Sequence, residues 1–458
     1  MSESPGPRLA REVGLFDATM IVMGGIVGAG IFINPYVVAQ HLDEPLAILG
    51  AWALGGLIAL VGAFVYAELA ARLPEVGGQY AYLREAWHPL LGFLYGWVLL
   101  LVIQTGGMAA VAITFAAYFR ELTGLSAGTP ILASCVLAGL AAVNCLGVRA
   151  GSRAQSALMV LKVVAILTVV VAGAWFLGRG GDASPAGPSS TRGFLDGPSS
   201  GALALGAAMV PVLFAYGGWQ TANFVAGEVR EPRRNLPRAL VLGVTGVVLL
   251  YLAMNFVCVQ VLGAEALAGT TTPASAVMEA AFGRAGARFI AVGIAISTLG
   301  FLSQSMLTAP RVYFAMARDR TFFRAVAWVD PRRRVPTVAI LLQAAMAIVI
   351  ALSGRYEQIL GYVVSMDFLF FGLTATCLFV LRRREERPEA GGEGSERFAR
   401  VPGHPVTTVL FIAACWLVVL ASALEYPGNT AIGMAILLAG IPAYRAWSRG
   451  RAVGGNAP

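Results

Sequence analysis

Twelve apolar stretches, each 18 to 30 residues long, follow one another along this chain of 458 residues. A helix needs about 20 mainly apolar residues to cross a bilayer, where its backbone polar groups must be satisfied within the segment. Only 13% of the residues are charged, about half the usual share of a soluble protein. The sequence therefore predicts an all-α integral membrane protein with twelve transmembrane helices. The stretches lie at 15–39, 46–71, 90–119, 130–148, 154–177, 201–225, 239–263, 286–310, 336–353, 357–381, 405–424 and 429–447.

The arginines indicate how these helices are oriented. The N-terminus, the even-numbered connections and the C-terminus carry most of them, with clusters at 230–238, 311–334 and 382–400. Basic residues collect on the cytoplasmic side of membrane proteins, so both termini are predicted to be cytoplasmic. We expect the protein in the cell membrane. The formal net charge of +8 is explained by this bias and requires no nucleic-acid partner.

The connections look like tails and loops rather than separate domains. Residues 1–14 and 448–458 are the predicted cytoplasmic tails, the Gly-, Pro- and Ser-rich residues 178–200 an external loop, and residues 382–403 a cytoplasmic loop. All five cysteines fall in apolar runs and are interpreted as small core residues, not as a disulfide or metal framework. No cofactor or metal ion is expected.

Two of the apolar stretches are interrupted by glycines. The first contains GGIVGAGIF (24–32) and the sixth contains FAYGGW (214–219). A single glycine-rich segment most often indicates close helix packing. Here, however, the interrupted segments are the first and the sixth, which are equivalent members of two five-helix halves. Such a pair is the best sequence indication of a transporter's binding site.

An unwound helix exposes amide N–H groups at the start of one half and carbonyl groups at the end of the other. The N–H groups suit a carboxylate and the carbonyl groups suit an ammonium. An amino acid carries both charges on one carbon. The breaks therefore predict a site for the backbone of an α-amino acid.

At these residues the sequence resembles the amino acid–polyamine–organocation superfamily, and especially its L-type amino-acid transporter branch. Four motifs carry the resemblance, and they cover about the first half of the chain. They are IVGAGIF (26–32), YAEL (66–69) with GGQYAY (77–82), LFAYGGW (213–219) with NFV (223–225), and EP (231–232) with RNLPRA (234–239).

The resemblance implies a LeuT-like fold with ten helices in two inverted repeats, here 15–177 and 201–381, and two peripheral helices within 404–447. It implies that the amides of Gly28, Ala29 and Gly30 bind the substrate carboxylate. The carbonyl groups of Ile26, Phe214 and Gly217 would bind the ammonium, with Ala215 in the same stretch. Phe214 would also close the site from outside.

Two departures from the family pattern bear on binding and on partners. The middle position of the first motif often carries Ser or Thr, whereas this chain has Ala29, so the carboxylate would depend on backbone N–H groups alone. The connection from Glu121 to Thr129 has no cysteine. A disulfide-linked heavy chain, as in the animal members, is therefore not expected.

Lys162 is the only lysine among 33 basic residues, and it lies in an apolar run. A lysine near a helix end can extend towards the interface, but a charge within the membrane is expensive and usually functional. Lysine is a compact point charge that can release a proton when buried. The superfamily often places a lysine on helix five beside the unwound part of helix one. We predict that Lys162 holds that segment and replaces the sodium ion of sodium-coupled relatives.

Three carboxylates lie in or near the predicted spans. Glu68 and Glu228 lie towards cytoplasmic ends, where contacts with loop arginines are expected. Asp367 lies deeper, and both pairing within the bundle and a role in gating remain open.

The sequence thus favours a secondary transporter working by alternating access, and neither an enzyme nor a channel. Neutral amino acids are favoured because no pocket charge is obvious, and sodium-independent exchange is favoured by the L-type resemblance. Proton-coupled symport remains an alternative, as does a substrate-sensing receptor of the same fold.

Overall fold

The computed structural model describes residues 13–180, 200–353, 356–385 and 400–453. Helices account for nearly all of the regular structure in these ranges. Their bounds are α1 Leu15–Ile26, α2 Gly30–His41, α3 Pro45–Arg72, α4 Gln79–Ala86, α5 Pro89–Val98, α6 Gln104–Thr123, α7 Thr129–Asn144, α8 Val148–Gly178, α9 Ser200–Tyr216, α10 Thr221–Phe224, α11 Pro232–Gly269, α12 Pro273–Thr308, α13 Pro310–Arg318, α14 Thr337–Ser353, α15 Tyr356–Glu385, α16 Val406–Glu425 and α17 Pro427–Val453.

Within the described ranges, nine helical spans are long and apolar enough to cross a membrane. Three shorter apolar helices accompany them, at Thr129–Asn144, Ala204–Tyr216 and Thr337–Leu352. The prediction of an all-α, multi-pass membrane protein is therefore confirmed. Most of the predicted 178–200 and 382–403 loops, and both chain ends, lie outside the described residues.

Prolines and glycines set several of the helix boundaries. Pro45, Pro89 and Pro273 stand in the first turn of their helices, where a missing N–H costs nothing. The helices α11 and α12 continue across a bend and pass beyond their predicted limits. Gly263 in α11 and Gly283 in α12 have φ of 75° and 66°, a left-handed conformation that favours glycine. The helices span Pro232–Gly269 and Pro273–Thr308, where the sequence predicted 239–263 and 286–310. The earlier start of α11 is set by Pro232 in its first turn.

The bundle core surrounds the two interrupted helices. The helix α1 packs against α8, α11 and α12, while α2 packs against α9 and α11. Trp219, within the second interruption, lies against Phe371 with ring centroids 4.7 Å apart. Four of the five cysteines are buried, as predicted, but Cys135 is exposed on the outside of α7.

Candidate functional site

The first interruption separates α1 from α2. The helix α1 ends at Ile26, and Val27 leaves the helical conformation with φ −74° and ψ 93°. The chain resumes as a helix at Gly30. Because the first N–H groups of a helix have no partner within it, this break presents free donors at the start of α2.

The second interruption separates α9 from α10. The helix α9 ends at Tyr216, and Gly217 closes it by donating its N–H to the carbonyl oxygen of Leu213 at 2.9 Å. Gly218 has φ 109°, which a residue with a side chain rarely adopts. The chain turns there and re-enters a short helix at Thr221. Both breaks thus lie at the glycines that the sequence indicated.

The two breaks enclose a cavity of about 70 Å³. Its wall includes all seven residues predicted to bind substrate, which are Ile26, Gly28, Ala29, Gly30, Phe214, Ala215 and Gly217. The helices α2 and α9 approach each other closely here, since a Cβ built on Gly30 would lie 3.0 Å from the Cα of Ala215. The arrangement brings peptide groups from both broken helices to one small space inside the bundle.

Other helices supply a part of the wall that the sequence did not assign to the site. Gln104 on α6, and Phe301 and Gln304 on α12, line the cavity. So does Asp367 on α15, which the sequence indicated only as a deep carboxylate. A five-residue π-helical turn, Leu99–Ile103, precedes Gln104, and such turns are frequent at functional sites. The available signal was the rarity of Gln and Asp in membrane spans, although it does not say which of them share a cavity.

Asp367 corrects one premise of the sequence analysis, which inferred neutral substrates because no pocket charge was obvious. Its side chain faces the cavity beside Gly217, where a built Cβ would lie 3.8 Å from Oδ2. Among the described residues, its Oδ1 has no hydrogen-bond partner. A hydrogen-bond acceptor is therefore available in the wall.

Two of the carbonyl oxygens predicted to bind an ammonium already accept a hydrogen bond within the protein. The oxygen of Ile26 accepts a hydrogen bond from Tyr251 Oη at 3.2 Å. The oxygen of Phe214 accepts the N–H of Gly217 at 3.3 Å. A carbonyl oxygen has two lone pairs, so each of these oxygens can still accept a second donor.

Lys162 lies outside the cavity wall but touches the first break. The side chain is fully buried, and its Nζ donates to the carbonyl oxygen of Val27 at 2.6 Å. Its aliphatic part passes Gly300 of α12, where a built Cβ would lie 2.6 Å from Cε. Burial excludes the simple extension of the lysine to the interface. The ammonium is bonded to the unwound segment between α1 and α2.

Glu68 and Glu228 both pair with arginines, as the sequence predicted, but these arginines belong to helices and not to loops. Glu68 binds Arg72 at 2.7 Å and Arg382 at 2.6 Å. Glu228 binds Arg311 at 2.9 Å, and both side chains are almost completely buried. The sequence had placed Arg311 in a cytoplasmic connection, whereas the structure places it in α13, inside the protein.

The site can bind a small polar molecule through peptide N–H groups, carbonyl groups and one carboxyl group. In the part of the chain that the structure describes, no cluster of three or more His, Cys, Asp or Glu residues could hold a metal ion. The functional geometry is that of a binding cavity between helix ends.

The chain is similar in sequence to known proteins over most of its length. A family model described as amino acid permease matches residues 13–441. The serine/threonine exchanger SteT of Bacillus subtilis (strain 168) is 29% identical over 442 residues, which cover 95% of this chain and 96% of that protein. The mouse large neutral amino acids transporter small subunit 2 is 30% identical, over 96% of this chain and 81% of that protein. The mouse Asc-type amino acid transporter 1 is also 30% identical, over 95% and 81%.

Proposed function

Because the chain belongs to the amino acid permease family, within the L-type branch of the amino acid–polyamine–organocation superfamily, we propose that it is a sodium-independent exchanger of small neutral amino acids. One observation carries the proposal. Both glycine breaks line one cavity, whose wall includes all seven predicted binding residues. The relatives have amino-acid transport in common. The substrate proposed for this chain is argued from its own cavity.

The substrate backbone binds between the breaks in this proposal. Its carboxylate accepts hydrogen bonds from the backbone N–H groups of Gly28, Ala29 and Gly30 at the start of α2. Its ammonium donates to the carbonyl oxygens of Ile26, Phe214 and Gly217. The oxygen of Ile26 also accepts a hydrogen bond from Tyr251 Oη. Ala29 offers no hydroxyl, so the carboxylate depends on the backbone.

The cavity also bears on the side chain of the substrate. A volume of about 70 Å³ accommodates a short side chain more readily than a long one. Asp367 offers an acceptor for a hydroxyl group. The serine/threonine exchanger among the relatives has substrates of this kind in its name. Small neutral amino acids with a hydroxyl are therefore the proposed substrates.

Sodium independence is proposed from Lys162. Its Nζ donates to the carbonyl oxygen of Val27 and so occupies a position beside the break. A cation bound to that carbonyl oxygen would have to displace the lysine. In the proposed cycle, the segments on either side of the breaks move to open the cavity to one face of the membrane at a time, and Phe214 covers it from outside.

The proposed topology is the twelve-helix, LeuT-like arrangement with both termini in the cytoplasm. Nine spans long enough to cross a membrane and three shorter apolar helices, all counted within the described residues, support this proposal. The repeats would be 15–177 and 201–381, followed by two peripheral helices. No disulfide-linked heavy chain is included, because the 121–129 connection has no cysteine.

The test is uptake by purified protein in liposomes. A panel of labelled serine, threonine, alanine, leucine, lysine and glutamate is offered in sodium-free buffer, with and without internal serine, and with and without a pH gradient. Uptake of serine, threonine and alanine that requires internal amino acid supports the proposal. Uptake driven by the pH gradient into empty vesicles shows proton symport instead. A requirement for sodium, or a preference for lysine, contradicts the proposal.

A further inference from the structure

A second concave surface lies on the outside of the bundle, away from the transport cavity. It is a groove of about 580 Å³ between α8 and the bend of α12. Its wall is apolar and includes Val164, Leu167, Val171 and Trp175 of α8 and Phe282 of α12. These side chains are exposed, with Val171 at 65%. In a membrane-spanning helix, such a surface faces lipid.

The inside of the groove is almost entirely apolar. The one hydroxyl group that the structure describes there, on Thr168, already donates to the carbonyl oxygen of Val164 at 2.8 Å. The other polar group of the wall is the indole N–H of Trp175. A ligand along the groove must therefore present mainly hydrocarbon.

One end of the groove is different. Trp175 stacks on Phe282, with ring centroids 5.2 Å apart and the planes at 22°. The guanidinium of Arg179 lies over the Trp175 ring, 4.2 Å from its centroid. This contact holds the cation at the end of the groove. A planar guanidinium suits a phosphate, which it can bind with two parallel hydrogen bonds.

The dimensions match one leaflet of a bilayer. Val164 and Trp175 are eleven residues apart, which corresponds to about 16 Å along a helix. Half of the hydrocarbon core is about 15 Å. Arg179, about one turn beyond Trp175, then lies at the depth of the head groups, and tryptophan is enriched at that interface.

We propose that this groove is a binding site for a phospholipid, with one acyl chain along α8 and the phosphate on Arg179. The groove combines an apolar channel of one leaflet's length with a cation at its outer end. Among the described residues, it shares no wall residue with the transport cavity.

The experiment measures contact between lipid and Trp175 by fluorescence quenching. Phosphatidylglycerol with dibrominated acyl chains is titrated into purified protein in detergent micelles. The signal of Trp175 is the difference between wild type and Trp175→Phe, because the chain has eight tryptophans. We expect saturable quenching of this signal. Brominated maltoside detergent, which lacks a phosphate, is the comparison ligand, and equal quenching by it would overturn the proposal.

Two pairs of variants separate the phosphate from the acyl chain. Arg179→Gln should weaken lipid binding about fivefold, as expected for one cation at a membrane surface. Its control is Arg120→Gln, at an exposed helix end outside the groove. Val171→Phe should fill the groove and reduce quenching, whereas Leu249→Phe, equally exposed on α11, should not. Binding unchanged in Arg179→Gln or in Val171→Phe would overturn the proposal, provided each variant elutes as a monodisperse protein.

Discussion

Gly25 and Gly218 lie directly against each other, and through them the two broken helices touch. A Cβ built on Gly25 would lie 2.6 Å from the carbonyl oxygen of Gly218, and a Cβ on Gly218 would overlap the carbonyl oxygen of Gly25. The obstacle to a side chain at Gly218 is entirely backbone, and at Gly25 it is the backbone of Gly218 together with Thr221 Oγ1, so rotation of a side chain cannot remove it. The glycines therefore do more than permit each chain to unwind, because they also let the two unwound segments approach.

The first prediction concerns Gly218. Gly218→Ala places a methyl group on the backbone of Gly25 and imposes a side chain at φ 109°, a strain of about 1–3 kcal/mol before the overlap is counted. We expect a lower melting temperature in detergent and loss of amino-acid uptake in liposomes. Gly50→Ala is the control, since a Cβ there meets nothing within 4 Å. Normal uptake by Gly218→Ala would show that the breaks do not need this contact.

The breaks could be predicted from the sequence because glycine clusters act locally. Glycines lower the cost of leaving the helix at Gly28–Gly30 and at Gly217–Gly218. The glycine pair Gly55-Gly56 remains helical within α3, so the matching positions of the two clusters, in the first and the sixth stretch, were the decisive signal. Asp367 is different, since nothing near it in the sequence shows that α15 turns it towards Gly217. The closing of the cavity by α6, α12 and α15 depends on how distant helices pack, which apolar periodicity does not specify.

The partners of the charged residues also could not be predicted from the sequence. The sequence identified Lys162 as unusual by composition alone, but only the fold shows that its partner is the carbonyl group of Val27. Arg311 was counted with the cytoplasmic arginines by its position after an apolar stretch. The structure buries it against Glu228, which lies 83 residues earlier in the chain.

The second prediction concerns the ammonium of Lys162. Lys162→Ala and Lys162→Met both leave the carbonyl oxygen of Val27 without its donor. We expect at least a tenfold loss of uptake in sodium-free buffer, about the effect of one lost charged hydrogen bond. Sodium should partly restore uptake by Lys162→Ala, where space for a cation is left, but not by Lys162→Met, where the side chain fills it.

A pair of outcomes would contradict this role. Full uptake by Lys162→Met without sodium would show that no positive charge is needed at the break. Aggregation of both variants would show that Lys162 has only a structural role. It is detected by size-exclusion chromatography before the transport assay.

Gly300→Ala gives an independent test, because its Cβ displaces Cε of Lys162 while the ammonium is retained. We expect reduced uptake by this variant too.

The third prediction concerns the buried pair of Glu228 and Arg311. Removing one partner leaves the other charge buried without compensation, which typically costs 3–5 kcal/mol. Glu228→Gln or Arg311→Met should therefore lower the melting temperature strongly, and the double variant should recover part of the loss. The exposed pair of Glu231 and Arg234, 3.7 Å apart, is the matched control. Glu231→Gln should change stability little, since exposed pairs contribute about 0–1 kcal/mol. Additive losses in the Glu228→Gln, Arg311→Met double variant would show that the two side chains are not coupled.

The last prediction concerns substrate selection by Asp367. If its free oxygen accepts the hydroxyl of the substrate, Asp367→Leu should reduce serine uptake more than alanine uptake. A lost hydrogen bond of about 1 kcal/mol changes the ratio of kcat/KM values for serine and alanine roughly fivefold. Asp367→Asn keeps an acceptor of the same size and should change the ratio less. Val364→Ala, which alters the same wall without a polar group, is the control. If Asp367→Leu reduced serine and alanine uptake equally, Asp367 would act in the transport cycle and not in substrate selection, because selection requires different effects on the two substrates.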